Sequence, residues 1–101
     1  MKRGEVWWAV LDKRRPVVLL SRDEAYAVRR LVIVAPVSTQ IRGFAAEVRL
    51  GKADGLPKKC VINLDALTTI PKQALSERIT ALTSAKLGQL DAALHFVLGL
   101  D

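Results

Sequence analysis

Two short runs carry most of the chemistry available to this chain. Lys13-Arg14-Arg15-Pro16 sets three cations against the apolar run Val17-Val18-Leu19-Leu20, and Val37-Ser38-Thr39-Gln40 ends a second apolar run on two hydroxyls and an amide. A guanidinium fork can hold two phosphate oxygens at once, and a hydroxyl can donate one further bond to a pentacoordinate phosphorane. Both runs sit at the ends of strand-like segments, where side chains are better fixed than in free loops. Pro16 locks its own φ and restricts Arg15, so the backbone sets part of that side chain's direction. The plain alternative for the cations is gatekeeping, in which charge beside an apolar strand only keeps it from aggregating.

Other chemistries are poorly supplied. One His, one Cys and scattered carboxylates give no spacing that gathers three or four metal ligands, so neither a metal nor a cofactor is expected. No G-x-S-x-G, Walker-type loop or dinucleotide fingerprint occurs. His95 reads as a surface or subunit-contact residue on the final helix. Cys60, between Lys59 and Val61, reads as a small buried strand residue rather than an activated thiol. A lone cysteine excludes an intrachain disulfide and fits a reducing compartment, the cytoplasm by default. MKRGEVWWAV has no cleavage-site pattern, and no apolar stretch is long enough to span a bilayer, so neither a signal peptide nor a membrane partner is expected.

The charge is lopsided. The formal net charge is +6 and the pI near 10.0. Residues 1–50 carry 10 Lys/Arg against 5 Asp/Glu, and residues 51–101 carry 6 against 5. The basic face therefore belongs to the N-terminal half. Such a field favours a polyanionic partner, nucleic acid first, although anionic lipid or an acidic protein would also satisfy it.

The elements that must position these groups are short. With 101 residues the chain is one domain, residues 1–101, with a modest single core. Glu5 to Leu11, Pro16 to Ser21 and Leu31 to Ser38 read as strands, bounded by Gly4, Asp12, Pro16 and charged clusters. Asp12 to Arg15 is a tight connection, which predicts a hairpin. Arg22 to Arg30 is a polar link with room for one helical turn. Ala45 to Leu50, Cys60 to Asn63, Leu67 to Ile70 and Arg78 to Leu82 complete the β set, and Gly51 to Lys59 reads as a loop. Leu87, Leu90, Leu94, Val97 and Leu98 recur at helical spacing, which predicts a helix over Ala85 to Leu98 with Thr83 or Ser84 as cap and Gly99 as stop. Short strands followed by one helix predict a mainly β fold, a small bent sheet or open barrel with a C-terminal α-helix laid against it. Trp7 and Trp8 are adjacent on a strand and must point to opposite faces. Either both fill core or interface, or one offers a ring for base stacking.

Taken in order, RGEVWWAVL, RRPVVLLSRD, VIVAPVSTQIRG, EVRL, GLPKKCVINLDALTTI and ERITALT resemble the MazF/PemK toxins of bacterial toxin–antitoxin systems across essentially the whole chain. The resemblance implies a small SH3-like, PemK-type barrel working as a homodimer. It implies a metal-independent endoribonuclease that cuts single-stranded RNA at a short sequence and is neutralised by a cognate antitoxin. The family's catalytic arginine, immediately before the R-P-V proline, falls on Arg15. Its catalytic threonine falls on Ser38, with Thr39 next in line as support. The family mechanism then yields a 2′,3′-cyclic phosphate and a 5′-hydroxyl. Lys13, Arg14, Arg22, Gln40 and Arg42 surround the two motif ends and are the expected contacts to RNA.

Three departures stand out. Serine replaces threonine at position 38, the connection between the first two strands is shorter than is usual in the family, and Asp65-Ala66-Leu67-Thr68-Thr69 lacks the arginine or lysine often found in that stretch. Two other functions fit the same general outline. One is a CcdB-like toxin that binds a protein target such as a topoisomerase and cuts nothing; the other is a non-catalytic RNA-binding domain.

Overall fold

The apolar run after Arg15 is continuous because its strand is buried on both faces. In the computed structural model, which describes residues 1–100, the chain forms strands β1 (Glu5–Val10), β2 (Arg14–Leu19), β3 (Leu31–Ser38), β4 (Glu47–Leu50), β5 (Cys60–Asn63), β6 (Thr68–Pro71) and β7 (Leu75–Ala81). Two helices, α1 (Ala25–Val28) and α2 (Ser84–Leu98), complete it. β2 lies between β1 and β3 in the antiparallel order β4-β5-β3-β2-β1-β7. Val18 and Leu20 enter one core with Val37, Ile62, Leu64 and Leu90. Val17 and Leu19 enter a second with Tyr26, Val32, Val34 and Ile70.

β3 organises the sheet by changing partners along its length. On one edge Leu31–Val34 pairs with β6, and Val37 and Ser38 then pair with Ile62 and Val61 of β5. On the other edge β2 pairs from Leu19↔Val34 to Val17↔Pro36 and no further. The switch from β5 to β6 is made by a 3₁₀ turn, Leu64–Ala66, whose first residue is fully buried and whose entry is capped by the Asn63 side chain accepting from the Asp65 N–H at 3.1 Å. Pro16 pairs with Trp8 of β1 but lies beyond the β2–β3 ladder, so its missing N–H breaks nothing on that side.

The helix forms where its spacing and caps require. Thr83 Oγ1 accepts from the Lys86 N–H at 3.2 Å, and Gly99, at φ +66°, takes the left-handed turn that ends it. Leu90 and Ala93 are buried, while Leu87, Leu94 and Val97 pack at the margin of the core. Leu98, expected on the packed face, is 55% exposed, as is neighbouring Phe96 at 60%. Lys86 Nζ donates to the Arg49 carbonyl at 2.6 Å, and Arg3 pairs with Asp91 at 2.7 Å, which fixes α2 against both β4 and the N-terminal segment. No helix among the described residues is long and apolar enough to cross a membrane.

Some boundaries differ from those expected. β2 begins at Arg14 rather than Pro16, because Val10↔Arg14 and Ala9↔Arg15 extend the hairpin past the proline. β7 begins at Leu75 rather than Arg78, because Leu75 is buried against the second core while Ser76, Glu77 and Arg78 face outward from an edge strand. Register shifts between β1 and β7 further blur the alternation. Leu90 is wholly buried at the helix–barrel contact, so Leu90→Ala should lower unfolding free energy by about 2–5 kcal/mol. Urea denaturation measures it, and a loss well under 1 kcal/mol would mean that the helix contributes little to the fold.

Candidate active site

The two motif ends border one cleft, at the end of the β2–β3 ladder. Val17 faces Pro36, Val18 faces Ala35 and Leu19 faces Val34, and that register, had it continued, would have paired Arg15 with Ser38. The ladder stops two residues short of this point, and β3 has by then turned to β5. The strands part, and a cleft of ≈ 370 Å³ opens between them. Arg15, Ser38 and Thr39 border it, with Trp8, Pro16, Val37 and Ile79 from the barrel and Leu56, Pro57, Lys58 and Cys60 from the segment leading into β5.

Each polar group is held differently. Ser38 Oγ accepts from the Gln40 N–H at 3.0 Å, which fixes the oxygen and leaves its own proton free to donate into the cleft. Thr39 lies beyond the end of β3 and is exposed. Arg15 is exposed and, among the described residues, makes no ion pair. Cys60 lines the floor at 4% exposure. Burial, followed by the negative charge of Asp54, pushes its thiol above the ordinary range, so it stays protonated and inert near neutral pH.

The expected RNA contacts fall in four places. Lys13 is exposed in the β1–β2 turn beside the cleft strands. Gln40 and Arg42 follow Ser38 on an exposed loop, which Glu47 shapes by accepting from the Arg42 and Gly43 N–H groups at 3.1 and 2.8 Å. Arg22 is elsewhere: it lines a separate depression with Arg29, Arg30, Val28, Leu31 and Ile33, beyond the opposite end of β2. Arg14 lies over the Trp8 ring, 4.1 Å from its centroid, and reaches Glu77 at 3.4 Å.

Lys58 and its neighbours are the cleft residues that sequence reasoning missed. Their signal is the same as that at Arg15: Pro57-Lys58-Lys59 sets cations at the entrance of a strand. What positions them is Gly55, at φ +91°, packed so closely on β7 that an added Cβ would lie 2.7 Å from Thr80 Oγ1. Among the described residues no group of three or more His, Cys, Asp or Glu side chains could hold a metal ion.

Residues 2–98 match the profile of the PemK-like, MazF-like toxins of type II toxin–antitoxin systems. The chain is 40% identical over 96 residues to "Probable endoribonuclease MazF5" of Mycobacterium tuberculosis, covering 92% of this chain and 88% of the relative. It is 36% identical over 93 residues to "Endoribonuclease MazF3" of the same organism, covering 92% and 90%. Among solved structures, the Mycobacterium tuberculosis toxin MazF-mt6 superposes with a TM-score of 0.90 at 34% identity, covering 96% of this chain and 98% of that one. A mycobacterial endoribonuclease solved in complex with its cognate antitoxin superposes with a TM-score of 0.90 at 25% identity, covering 100% and 97%. The chain belongs to the PemK-like, MazF-like family of type II toxin–antitoxin toxins.

Gly55→Ala tests how the cleft wall is held. Left-handed strain and the clash with Thr80 should together cost more than about 1 kcal/mol of stability. Thermal and urea melts read this directly; wild-type stability would show that the wall has room to shift.

Proposed function

We propose that this protein is an endoribonuclease toxin that cuts single-stranded RNA without a metal, with Arg15 and Ser38 at the scissile phosphate. The observation that supports this reading is that Arg15, Ser38 and Thr39 border one cleft, which opens where the β2–β3 ladder ends. RNA brings its own nucleophile. The enzyme has to hold the 2′-oxygen in line, stabilise the charge that builds on phosphorus and let the 5′-oxygen leave. In the step, the 2′-oxygen bonds to phosphorus, its proton passes to water, the P–O5′ bond breaks and the departing 5′-oxygen takes a proton. The products are a 2′,3′-cyclic phosphate and a 5′-hydroxyl.

Arg15 supplies two parallel donors to the non-bridging oxygens, and Ser38 supplies a third from the facing strand. A guanidinium is a poor proton carrier, so the role of Arg15 is electrostatic. Thr39 is the supporting hydroxyl, and Lys13, Lys58, Gln40 and Arg42 guide the flanking backbone. The working form is a homodimer in the cytoplasm, where its RNA is. Its protein partner is a cognate antitoxin, a reading supported by the mycobacterial relative solved with its own.

Arg15→Ala should slow single-turnover cleavage of a mixed-sequence RNA by about 10²-fold or more at unchanged stability. Arg15→Lys keeps charge but loses the fork, and should rescue little of that loss. Ser38→Ala should match the Arg15 defect while Thr39→Ala falls short of it; the reverse order would move the catalytic hydroxyl to Thr39. Cleavage should also persist in EDTA. Activity abolished by chelation and restored by one divalent ion, or wild-type rates from Arg15→Ala, would refute the mechanism.

A further inference from the structure

Trp8 stands beside the reacting groups without a role in the chemistry. It lies on β1, paired with Pro16 of β2 and with Glu77 of β7. Residues paired across strands share a face, and Arg14 is two places from Pro16, so Arg14, Trp8 and Glu77 form one diagonal row across three strands. The guanidinium of Arg14 lies over the indole, 4.1 Å from its centroid, and ends on the Glu77 carboxylate at 3.4 Å. Trp8 forms part of the cleft wall and Arg14 does not. Trp7, its neighbour, packs against the second core and donates its indole N–H to Glu5 at 3.0 Å. One tryptophan is therefore structural, and the other presents aromatic surface to the cleft.

We propose that Trp8 is the platform of a nucleobase subsite in the cleft, on which a base next to the scissile phosphate stacks, with Arg14 as the positioning residue that holds the ring from outside the cleft. The proposal rests on the reading of RNA as substrate. Its grounds are independent of the phosphate chemistry: the indole shares the cleft lining with the apolar side chains of Leu56, Pro57 and Ile79, and Arg15 and Ser38 border the same cleft. An aromatic ring among apolar side chains, in the same cleft as a phosphate-competent pair, suits a planar heterocycle on a sugar-phosphate chain. The Arg14–Glu77 pair is exposed on both sides and contributes little to stability, so its consequence is geometric. Arg14, already laid over the indole and against a carboxylate, is thus assigned to the ring and not to the RNA backbone.

The test uses the full chain and an RNA whose cut site has first been mapped. A short oligonucleotide spanning that site, with a 2′-deoxy nucleotide at the cut, is bound intact or with one abasic position at a time. Trp8→Ala should weaken binding of the intact strand by about 5- to 150-fold, the range for one stacked base, and raise KM more than it lowers kcat. Trp8→Phe should retain most of the affinity. One abasic position beside the cut should cost the wild type as much as Trp8→Ala does, and should cost the Trp8→Ala protein nothing further. Arg14→Ala should weaken binding without changing its salt dependence, and should add nothing in the Trp8→Ala background. Equal abasic losses in wild type and Trp8→Ala, or a fall in kcat alone, would overturn the subsite. A salt slope reduced by about one in Arg14→Ala would return Arg14 to the phosphate backbone.

A second readout covers a Trp8→Ala protein that fails to fold, or a wild type that cuts no RNA. In Trp7→Phe protein the remaining tryptophan is Trp8, since the chain has two. Single-stranded RNA should quench its emission, while unchanged emission on saturation would overturn the subsite. Quenching without cleavage would instead remove the nuclease reading and leave the subsite standing.

Discussion

The structure depends on β3 having too many partners for one flat sheet. Its first residues are claimed by β6, its middle by β2 and its end by β5, so the strand must bend from one sheet into the other. The 3₁₀ turn at Leu64–Ala66 makes the bend possible on one edge, and the early end of the β2 ladder permits it on the other. A regular ladder would have continued to Arg15 and Ser38 and closed over them. Because it stops, Arg15 and Ser38 do not pair with each other, and each stays paired on its other side, with Ala9 of β1 and Val61 of β5. The cleft is thus a by-product of the bend in β3, and residues of the core such as Val37, Leu56 and Cys60 line it.

Charge is distributed by the same geometry. Arg14 and Arg15 are neighbours in sequence, yet the Arg14 guanidinium lies over the Trp8 indole while Arg15 borders the cleft. Arg22, which follows the same strand, is separated from Arg15 by an extended segment of roughly 20 Å. It belongs with Arg29 and Arg30 at the far end of the barrel. A basic N-terminal half therefore does not make one basic face. It makes two, divided by the length of β2.

Much of this was legible in the sequence, and the illegible parts share a cause. β3, β5 and α2 follow their local signals closely, down to Thr83 as cap and Gly99 as stop, because burial pattern and capping act over a few residues. The resemblance to a toxin family pointed to Arg15 and Ser38, and both border the cleft that opens where the β2–β3 ladder ends. The start of β7 was hidden because Ser76-Glu77-Arg78 is polar on an edge strand whose pairing with β1 is irregular. The wall at Leu56–Lys58 was hidden because Gly55 and Thr80 meet only in space. The position of Arg22 was misjudged because proximity in sequence is a poor guide along an extended strand.

The pairing of β1 with β7 also bears on how the protein is made. Glu5 lies against Ala81, and Trp8 against Glu77, so the earliest strand waits for a late one before its edge is covered. Contacts this distant in sequence form slowly and cannot form on a nascent chain whose later strands are still inside the ribosome. Until β7 emerges, the cleft lacks Ile79, and the loop at Gly55 lacks the threonine it packs against. A chain cut short before that strand carries both motifs and has no assembled site. This topology makes assembly of the cleft wait for β7.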